Sequence, residues 1–277
     1  EKVNVDKIIG QWESEAGIVL AEAQKEAIHA SLKYGVFVLT GGPGTGKTTV
    51  IKGILAVLEK AGCRILLAAP TGRAARRLAD SSGHPAVTVH RLLEYTPNGG
   101  GFNFGKNDGD PLDADAIIID EASMLDIALL LQLLRAVPDG CRVVLLGDEN
   151  QLPSVGAGAV LAALAQPTLL SENAAAQLQA MLPQHGFQTA LSPPPMSQNV
   201  ARLVVSHRFD DKSGIGSLAR AVVAEDAALA WAQFARFPEA LGVWQGSRRE
   251  QAEALYALHA DYWQAVAGGD VAAAFAH

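Results

Sequence analysis

Residues 36–48 read Val-Phe-Val-Leu-Thr-Gly-Gly-Pro-Gly-Thr-Gly-Lys-Thr: an apolar stretch of strand composition, a glycine-rich loop, then a lysine and a threonine opening a helical pattern over 47–61 that stops at Gly62. Strand, G-x-x-x-x-G-K-[ST] loop and helix together form a phosphate-binding loop in its required context. Glycines let the backbone turn tightly, so successive N–H groups face one phosphate cluster. The helix start near Gly46 adds its partial positive charge. Lys47 is placed to neutralise β- and γ-phosphate oxygens, and the Thr48 hydroxyl to hold Mg²⁺. The alternative, a glycine-rich turn with a chance lysine, leaves the strand and the helix unexplained.

The same alternation continues along the chain. A helical pattern over 20–33 precedes the first strand; strand 64–69, a short basic helix 72–80, strand 116–119, helix 124–136 and strand 141–146 follow it. Strands alternating with helices imply right-handed crossovers and a parallel sheet covered on both faces, an α/β fold. Residues 96–112, rich in Gly, Asn, Asp and Pro, read as a surface loop or hairpin. Residues 166–199 turn to Ala, Gln, Ser and Pro and read as a linker or mobile insertion. A short strand is expected at Leu203–Val205, an Ala-rich helical stretch over 214–236, and a last helix over 248–267 opened by a Ser247/Glu250 capping box.

Two further strands end in acids. Ile117-Ile118-Ile119 runs into Asp120-Glu121, and Val143–Gly147 runs into Asp148-Glu149-Asn150-Gln151. In parallel sheets ligands sit at the carboxyl ends of strands. Asp120 is placed to hold Mg²⁺ opposite Thr48, and Glu121 to polarise a water for attack on a γ-phosphorus. An isolated Asp-Glu is commonly a loop acid; next to a phosphate loop that reading weakens, and a base beside the metal acid favours a hydrolase over a kinase. Gln151 would sense a γ-phosphate or orient water, although in isolation it is equally a turn residue.

Pro70-Thr71-Gly72-Arg73 also follows a strand, and Thr88-Val89-His90-Arg91 lies just beyond. Thr71 and helix-start amides are good phosphate donors, and His90 could stack on a base; a solitary histidine is as ordinarily a structural hydrogen-bonder. Net charge is −7, so any nucleic-acid contact must be local. Arg73, Arg76, Arg77 and Arg91 offer one patch, which reads equally as a solvated helix face. Cys63 and Cys141, each opening an apolar strand, read as small buried residues without metal-ligand spacing, and suit a reducing cytosol. The composition is 49% hydrophobic and 18% charged, that of a globular chain, and no apolar run reaches the roughly 18 residues of a membrane span. No partner role for a membrane is expected. The chain does not open on Met and reads as a processed or cut-down piece.

The ordered set Gln24, Gly41–Thr48, Ala69–Ala75, Thr88–Leu93, Asp120–Met124, Gly147–Pro153 and Ser206-His207-Arg208-Phe209 resembles the motifs of superfamily 1 DNA helicases. Within them it is similar to the RecD branch, the alpha subunit of exodeoxyribonuclease V, through Gly-Gly-Pro-Gly-Thr-Gly-Lys-Thr-Thr, Ala-Pro-Thr-Gly-Arg-Ala-Ala-Arg-Arg-Leu and His-Arg-Phe followed by Ser213-Gly214-Ile215-Gly216. The resemblance covers about residues 20–277. It implies a P-loop NTPase with a RecA-like parallel sheet over 20–165 as the first motor domain, 166–199 as a linker or insertion, and 200–277 as the start of a second RecA-like motor domain, with 1–19 a remnant of an N-terminal region.

By position, the resemblance implies that ATP is bound by Gln24, which would contact adenine, and by Gly41, Gly42, Pro43, Gly44, Thr45, Gly46, Lys47, Thr48 and Thr49. Thr48 and Asp120 would hold Mg²⁺, Glu121 would be the catalytic base, Gln151 would couple γ-phosphate to DNA, and Arg208 would act as an arginine finger. Pro70, Thr71, Gly72, Arg73 and His90 would lie along single-stranded DNA. It further implies a cytoplasmic bacterial 5′–3′ helicase subunit in double-strand-break processing and recombinational repair, working beside RecB-like and RecC-like subunits. A stand-alone RecD-like or relaxase-associated helicase, a P-loop NTPase that does not act on DNA, and a non-enzymatic assembly subunit are the competing readings. The family's later motifs have no counterpart in this chain, so it is expected to be a truncated motor that binds Mg–ATP weakly, hydrolyses it slowly and does not unwind DNA.

Overall fold

The computed structural model describes residues 4–98, 101–151, 160–165, 169–181, 186–193, 196–205, 213–271 and 273. The chain divides into two units, residues 1–210 and 211–277.

The first unit opens with α1 (Val5–Ala16), capped by the Asn4 side chain, which accepts from the Lys7 amide, and closed by Gly17 at φ 65. Helix α2 (Glu22–Lys33), strand β1 (Val36–Gly41), α3 (Lys47–Lys60), β2 (Ile65–Ala69), α4 (Gly72–Ser82), β3 (Ala86–Thr88) and α5 (Val89–Leu92) follow. A hairpin of β4 (Tyr95–Asn98) and β5 (Gly101–Phe104) leads to β6 (Ala116–Ile119), α6 (Ile127–Arg135), β7 (Arg142–Gly147), α7 (Val160–Leu164), α8 (Glu172–Met181) and β8 (Val200–Leu203). Six strands form one sheet in the order β3-β2-β6-β7-β1-β8, and every pairing in it is parallel.

Period-two alternation sends neighbouring residues to opposite faces. Phe37, Leu39 and Ile118 face a layer containing Ile28, Ile51 and Ile54 of α2 and α3. Val38, Ile117 and Ile119 face the other layer, with Leu129 and Leu133 of α6. Because both faces are covered, the strands are apolar throughout rather than alternating with polar residues. This is the expected α/β fold, and it brings the ends of β1, β2, β6 and β7 to one edge.

The divisions along the chain differ from those expected. Within residues 1–19, Ile9 of α1 is buried in the layer that also contains α3. The short strand lies at Val200–Leu203 rather than 203–205, and pairs with β1 from Val38–Val200 to Gly41–Leu203. It therefore completes the first unit's sheet, and the division falls after Asp210, not before residue 200. Within 166–199, α8 buries Ala174 and Leu178 with Leu170, so that part of the segment has a small core of its own.

In the second unit α9 (Gly214–Val223), α10 (Ala227–Arg236), α11 (Arg248–Leu258) and α12 (Ala260–Ala267) are the elements among the described residues. The expected helix over 214–236 breaks where Glu225 takes φ 56 and Asp226 caps α10 by accepting from the Leu229 amide. The Ser247/Glu250 capping box is present, but the helix it opens ends at His259 and restarts as α12. Cys63 and Cys141 are half-buried rather than buried. Desolvation pushes the Cys141 thiol up to about 11, which keeps it protonated and unreactive at neutral pH.

Candidate functional site

The loop leaving β1 depends on two left-handed glycines, Gly44 at φ 77 and Gly46 at φ 88. Gly46 caps α3 without any side-chain cap, so the first amides of that helix remain available to an anion. Thr45 braces the turn by donating from Oγ1 to the Gly42 carbonyl at 2.8 Å. Lys47 folds back over the loop, its Nζ donating to the carbonyls of Gly41 at 2.5 Å and Gly42 at 3.1 Å. Burial holds the Lys47 ammonium below its usual pKa, opposed by the nearby acids Asp148, Asp120 and Glu121. A desolvated cation resting on two neutral carbonyls is suited to exchange them for phosphate oxygens.

Gln24 is buried at the base of α2 and accepts from the Ala21 amide through Oε1 at 3.0 Å. Its Nε2 lies against Gly46 where a Cβ would stand. Gly46→Ala therefore combines a left-handed alanine, costing about 1–2 kcal/mol, with a collision at Gln24. The expected outcome is a lower melting temperature together with loss of the stabilisation given by Mg–ATP, both read in one thermal-shift experiment.

Asp120 ends β6 and is buried, its Oδ1 accepting from the Glu121 amide at 2.9 Å. Its pKa is raised, first by burial and further by Glu121, against opposing effects from that backbone bond, Arg77 and Lys47. Glu121 is a non-glycine residue at φ 55, a conformation that costs of order 1–3 kcal/mol and gathers at functional sites. The turn leaves its carboxylate half-buried and paired with the Arg77 guanidinium from α4. Among the described residues no group of three or more His, Cys, Asp or Glu gathers as a metal cage. A buried acid opposite the Thr48 hydroxyl fits instead a hydrated divalent cation shared with phosphate oxygens.

The raised pKa carries a stability consequence. An acid whose folded pKa exceeds its unfolded value favours the fold below the unfolded pKa and loses that advantage as pH rises through the folded one. At neutral pH the ionised Asp120 is thus a liability. Asp120→Asn is expected to raise the melting temperature of the metal-free protein at pH 7, by less at pH 4, and to abolish any Mg²⁺-dependent gain in nucleotide binding.

Pro43 to Thr49, Asp120 and Glu121 line one cleft of about 560 Å³, with Gln24 and Gln151 also on its wall. Gly41 and Gly42 sit behind it as the carbonyls that hold Lys47. Gln151 is exposed, and its backbone N–H bonds to the Asp148 carbonyl at 3.2 Å. Arg208 lies outside the described residues.

Four residues on the same wall were not foreseen as site residues: Ile18, Val19, Arg77 and Ser81. Arg77 was legible only as one of several arginines on a basic helix. Its spacing of four from both Arg73 and Ser81 marks one helical face, but nothing local says which way that face points. Val19 is 89% exposed at the mouth, an apolar surface beside the Gln24 end of the cleft.

Pro70, Thr71, Gly72 and Arg73 emerge from β2 at the same sheet edge but do not line the cleft. The Thr71 hydroxyl already caps α4, accepting from the Ala74 amide at 3.2 Å, whereas Arg73 is exposed. His90 also stands apart from the cleft. It is exposed, packs edge-on against Tyr95 at 5.3 Å and stacks with Phe104 at 6.4 Å between ring centroids.

A family model described as an AAA domain matches residues 24–157. The ATP-dependent RecD2 DNA helicase of Deinococcus radiodurans is 49% identical over 152 residues, 54% of this chain and 21% of that protein. The RecBCD enzyme subunit RecD of Mycobacterium tuberculosis is 38% identical over 228 residues, 74% of this chain and 35% of that subunit. The corresponding subunit of Haemophilus influenzae is 35% identical over 221 residues, 70% of this chain and 34% of that subunit. The chain thus spans about a third or less of the length of these curated relatives.

Proposed function

Because this chain belongs to the RecD-type branch of the superfamily 1 DNA helicases, we propose that it is the nucleotide-hydrolysing part of an ATP-driven DNA motor. The observation that carries this reading is convergence: the amides ahead of Lys47, the Asp120–Glu121 pair and Gln151 line one cleft of triphosphate size at the carboxyl edge of a parallel sheet.

Mg–ATP, when bound, supplies the electrophilic γ-phosphorus and the cation that spreads its charge. The chain's own groups do the rest. The α3 amides and Lys47 would bind and orient the phosphates, with Lys47 released from the Gly41 and Gly42 carbonyls. Thr48 and Asp120 would hold the metal, and Gln24 and the Ile18–Val19 surface would receive the base. Glu121 would take the proton of the attacking water on its carboxylate. Gln151, which also lines the cleft, would report the terminal phosphate to the loop after β7. Arg208 would contribute an arginine finger.

Single-stranded DNA would run past Pro70, Thr71, Gly72 and Arg73 outside the cleft; the packing of His90 against Tyr95 and Phe104 makes it the weakest member of that set. A motor contacts backbone and stacks on any base, so low sequence preference and affinity falling with salt are expected. Residues from the end of β8 onward would begin a second motor domain. On the motif resemblance, the parent protein would move 5′ to 3′ in recombinational repair of double-strand breaks in the bacterial cytoplasm, beside RecB-like and RecC-like subunits. No described helix is long and apolar enough to cross a membrane.

The test is ATP turnover by the purified chain with and without single-stranded DNA, across a salt series. Stimulation that fades with salt supports the motor. Turnover indifferent to DNA favours a P-loop NTPase that acts elsewhere, and no nucleotide binding at all removes the reading.

A further inference from the structure

Arg77 projects from α4 into the cleft and pairs with the Glu121 carboxylate. Its charge is felt by Lys47, Asp120 and Glu121's neighbours alike, since it opposes protonation of Lys47 and favours ionisation of Asp120. Yet the pair is lopsided. The Glu121 side chain is 16% exposed and that of Arg77 is 66% exposed. The carboxylate is thus held by its turn, while the guanidinium is a solvated partner joined to it by a modest interaction. A triphosphate in the cleft carries several negative charges against the carboxylate's one, and a guanidinium matches phosphate oxygens as well as carboxylate oxygens.

We propose that Arg77 is a latch on the catalytic base: it occupies the Glu121 carboxylate when the cleft holds no nucleotide, and swings to the terminal phosphate when nucleotide enters, leaving the carboxylate free to accept a proton. The inference rests on the nucleotide reading of the cleft and deepens it. Arg77 acts through Glu121 and so is a positioning residue rather than the base. The latch explains why a strained glutamate is presented to a surface arginine on a different element. It also separates two jobs of one charge: neutralising the Glu121 carboxylate at the empty cleft, and adding a cation to the phosphates after binding.

The latch makes the two residues interdependent in nucleotide affinity, independently of turnover. A double-mutant cycle tests this with a fluorescent, non-hydrolysable ATP analogue and Mg²⁺, using wild type, Arg77→Ala, Glu121→Gln and the double variant. With Arg77 present, Glu121→Gln is expected to tighten binding by about fivefold, the upper end for release of one exposed ion pair. In the Arg77→Ala background the same change tightens binding less than twofold. Arg77→Lys, which keeps a cation, retains most of the coupling. Single-turnover hydrolysis without DNA is expected to fall in Arg77→Ala, because in the nucleotide-bound state the carboxylate is already free and the terminal phosphate loses the added cation. Equal effects of Glu121→Gln in both backgrounds overturn the latch while leaving the nucleotide site intact. Absence of analogue binding in wild type removes both. Arg77→Gln repeats the cycle should the alanine variant melt early.

Discussion

Glu121→Gln is expected to lower single-turnover ATP hydrolysis by about 10²–10⁴-fold, the usual contribution of a positioned general base, while nucleotide binding holds or strengthens. The amide keeps the size and the turn of the glutamate but cannot accept a proton from water at neutral pH. The residue follows the buried acid Asp120 yet is itself half-buried at the cleft wall, so the fold does not depend on its charge. Binding is measured with the fluorescent analogue and hydrolysis by quenched flow. A variant that hydrolyses at the wild-type rate would assign the base elsewhere; one that loses binding as well would make Glu121 a structural acid.

Lys47→Ala should be nearly as damaging by a different route. The ammonium is the only side-chain cation that bonds the phosphate loop's carbonyls among the described contacts, reaching Gly41 and Gly42 at 2.5 and 3.1 Å. Removing a preorganised cation aimed at developing charge costs about 10²–10³ in rate, and here binding falls too, because the same group meets the phosphates in the ground state. The melting temperature of the nucleotide-free protein is expected to hold or rise, since burial already disfavours the charged ammonium. That combination distinguishes loss of a ligand contact from collapse of the loop. If Lys47→Ala bound the analogue as wild type does, the cleft would not be a phosphate site.

Much of this site could be read from the chain because its chemistry is local. The loop from Gly41 to Thr48 encodes its turn, its open amides and its cation within eight consecutive residues, and the strand before it and helix after it have their own unmistakable periods. Asp120 was legible for a related reason: an unbroken apolar run, Ile117 to Ile119, has to be a buried strand, and the first acid after it has to lie at that strand's end. The partners of these groups were not legible. Arg77 meets Glu121 across 44 positions of sequence, and only the packing of α4 on β2 and β3 decides which helical face it presents.

The pairing of β8 with β1 and the packing of His90 with Tyr95 and Phe104 are likewise long-range or orientational facts. Residue type alone left His90 open between a base contact and a structural ring, and its neighbours Tyr95 and Phe104 come from the hairpin that follows it. The break at Glu225 shows the opposite failure. The Ala-rich periodicity over 214–236 fits one helix, but the Asp226 cap offers α10 a new start, and a cap is worth about 1 kcal/mol, enough to redirect a short helix.

The position of β8 in the sheet has a consequence for how the protein is made. Val38 of β1 pairs with Leu145 of β7 on one side and with Val200 of β8 on the other. At roughly 5–20 residues per second, about 10–30 seconds of translation separate Val38 from Val200. During that interval the edge of β1 that β8 will cover is bare and able to pair with other chains. The nascent polypeptide is therefore expected to be most prone to aggregation, and most dependent on ribosome-associated chaperones, until residues just past 203 have left the exit tunnel.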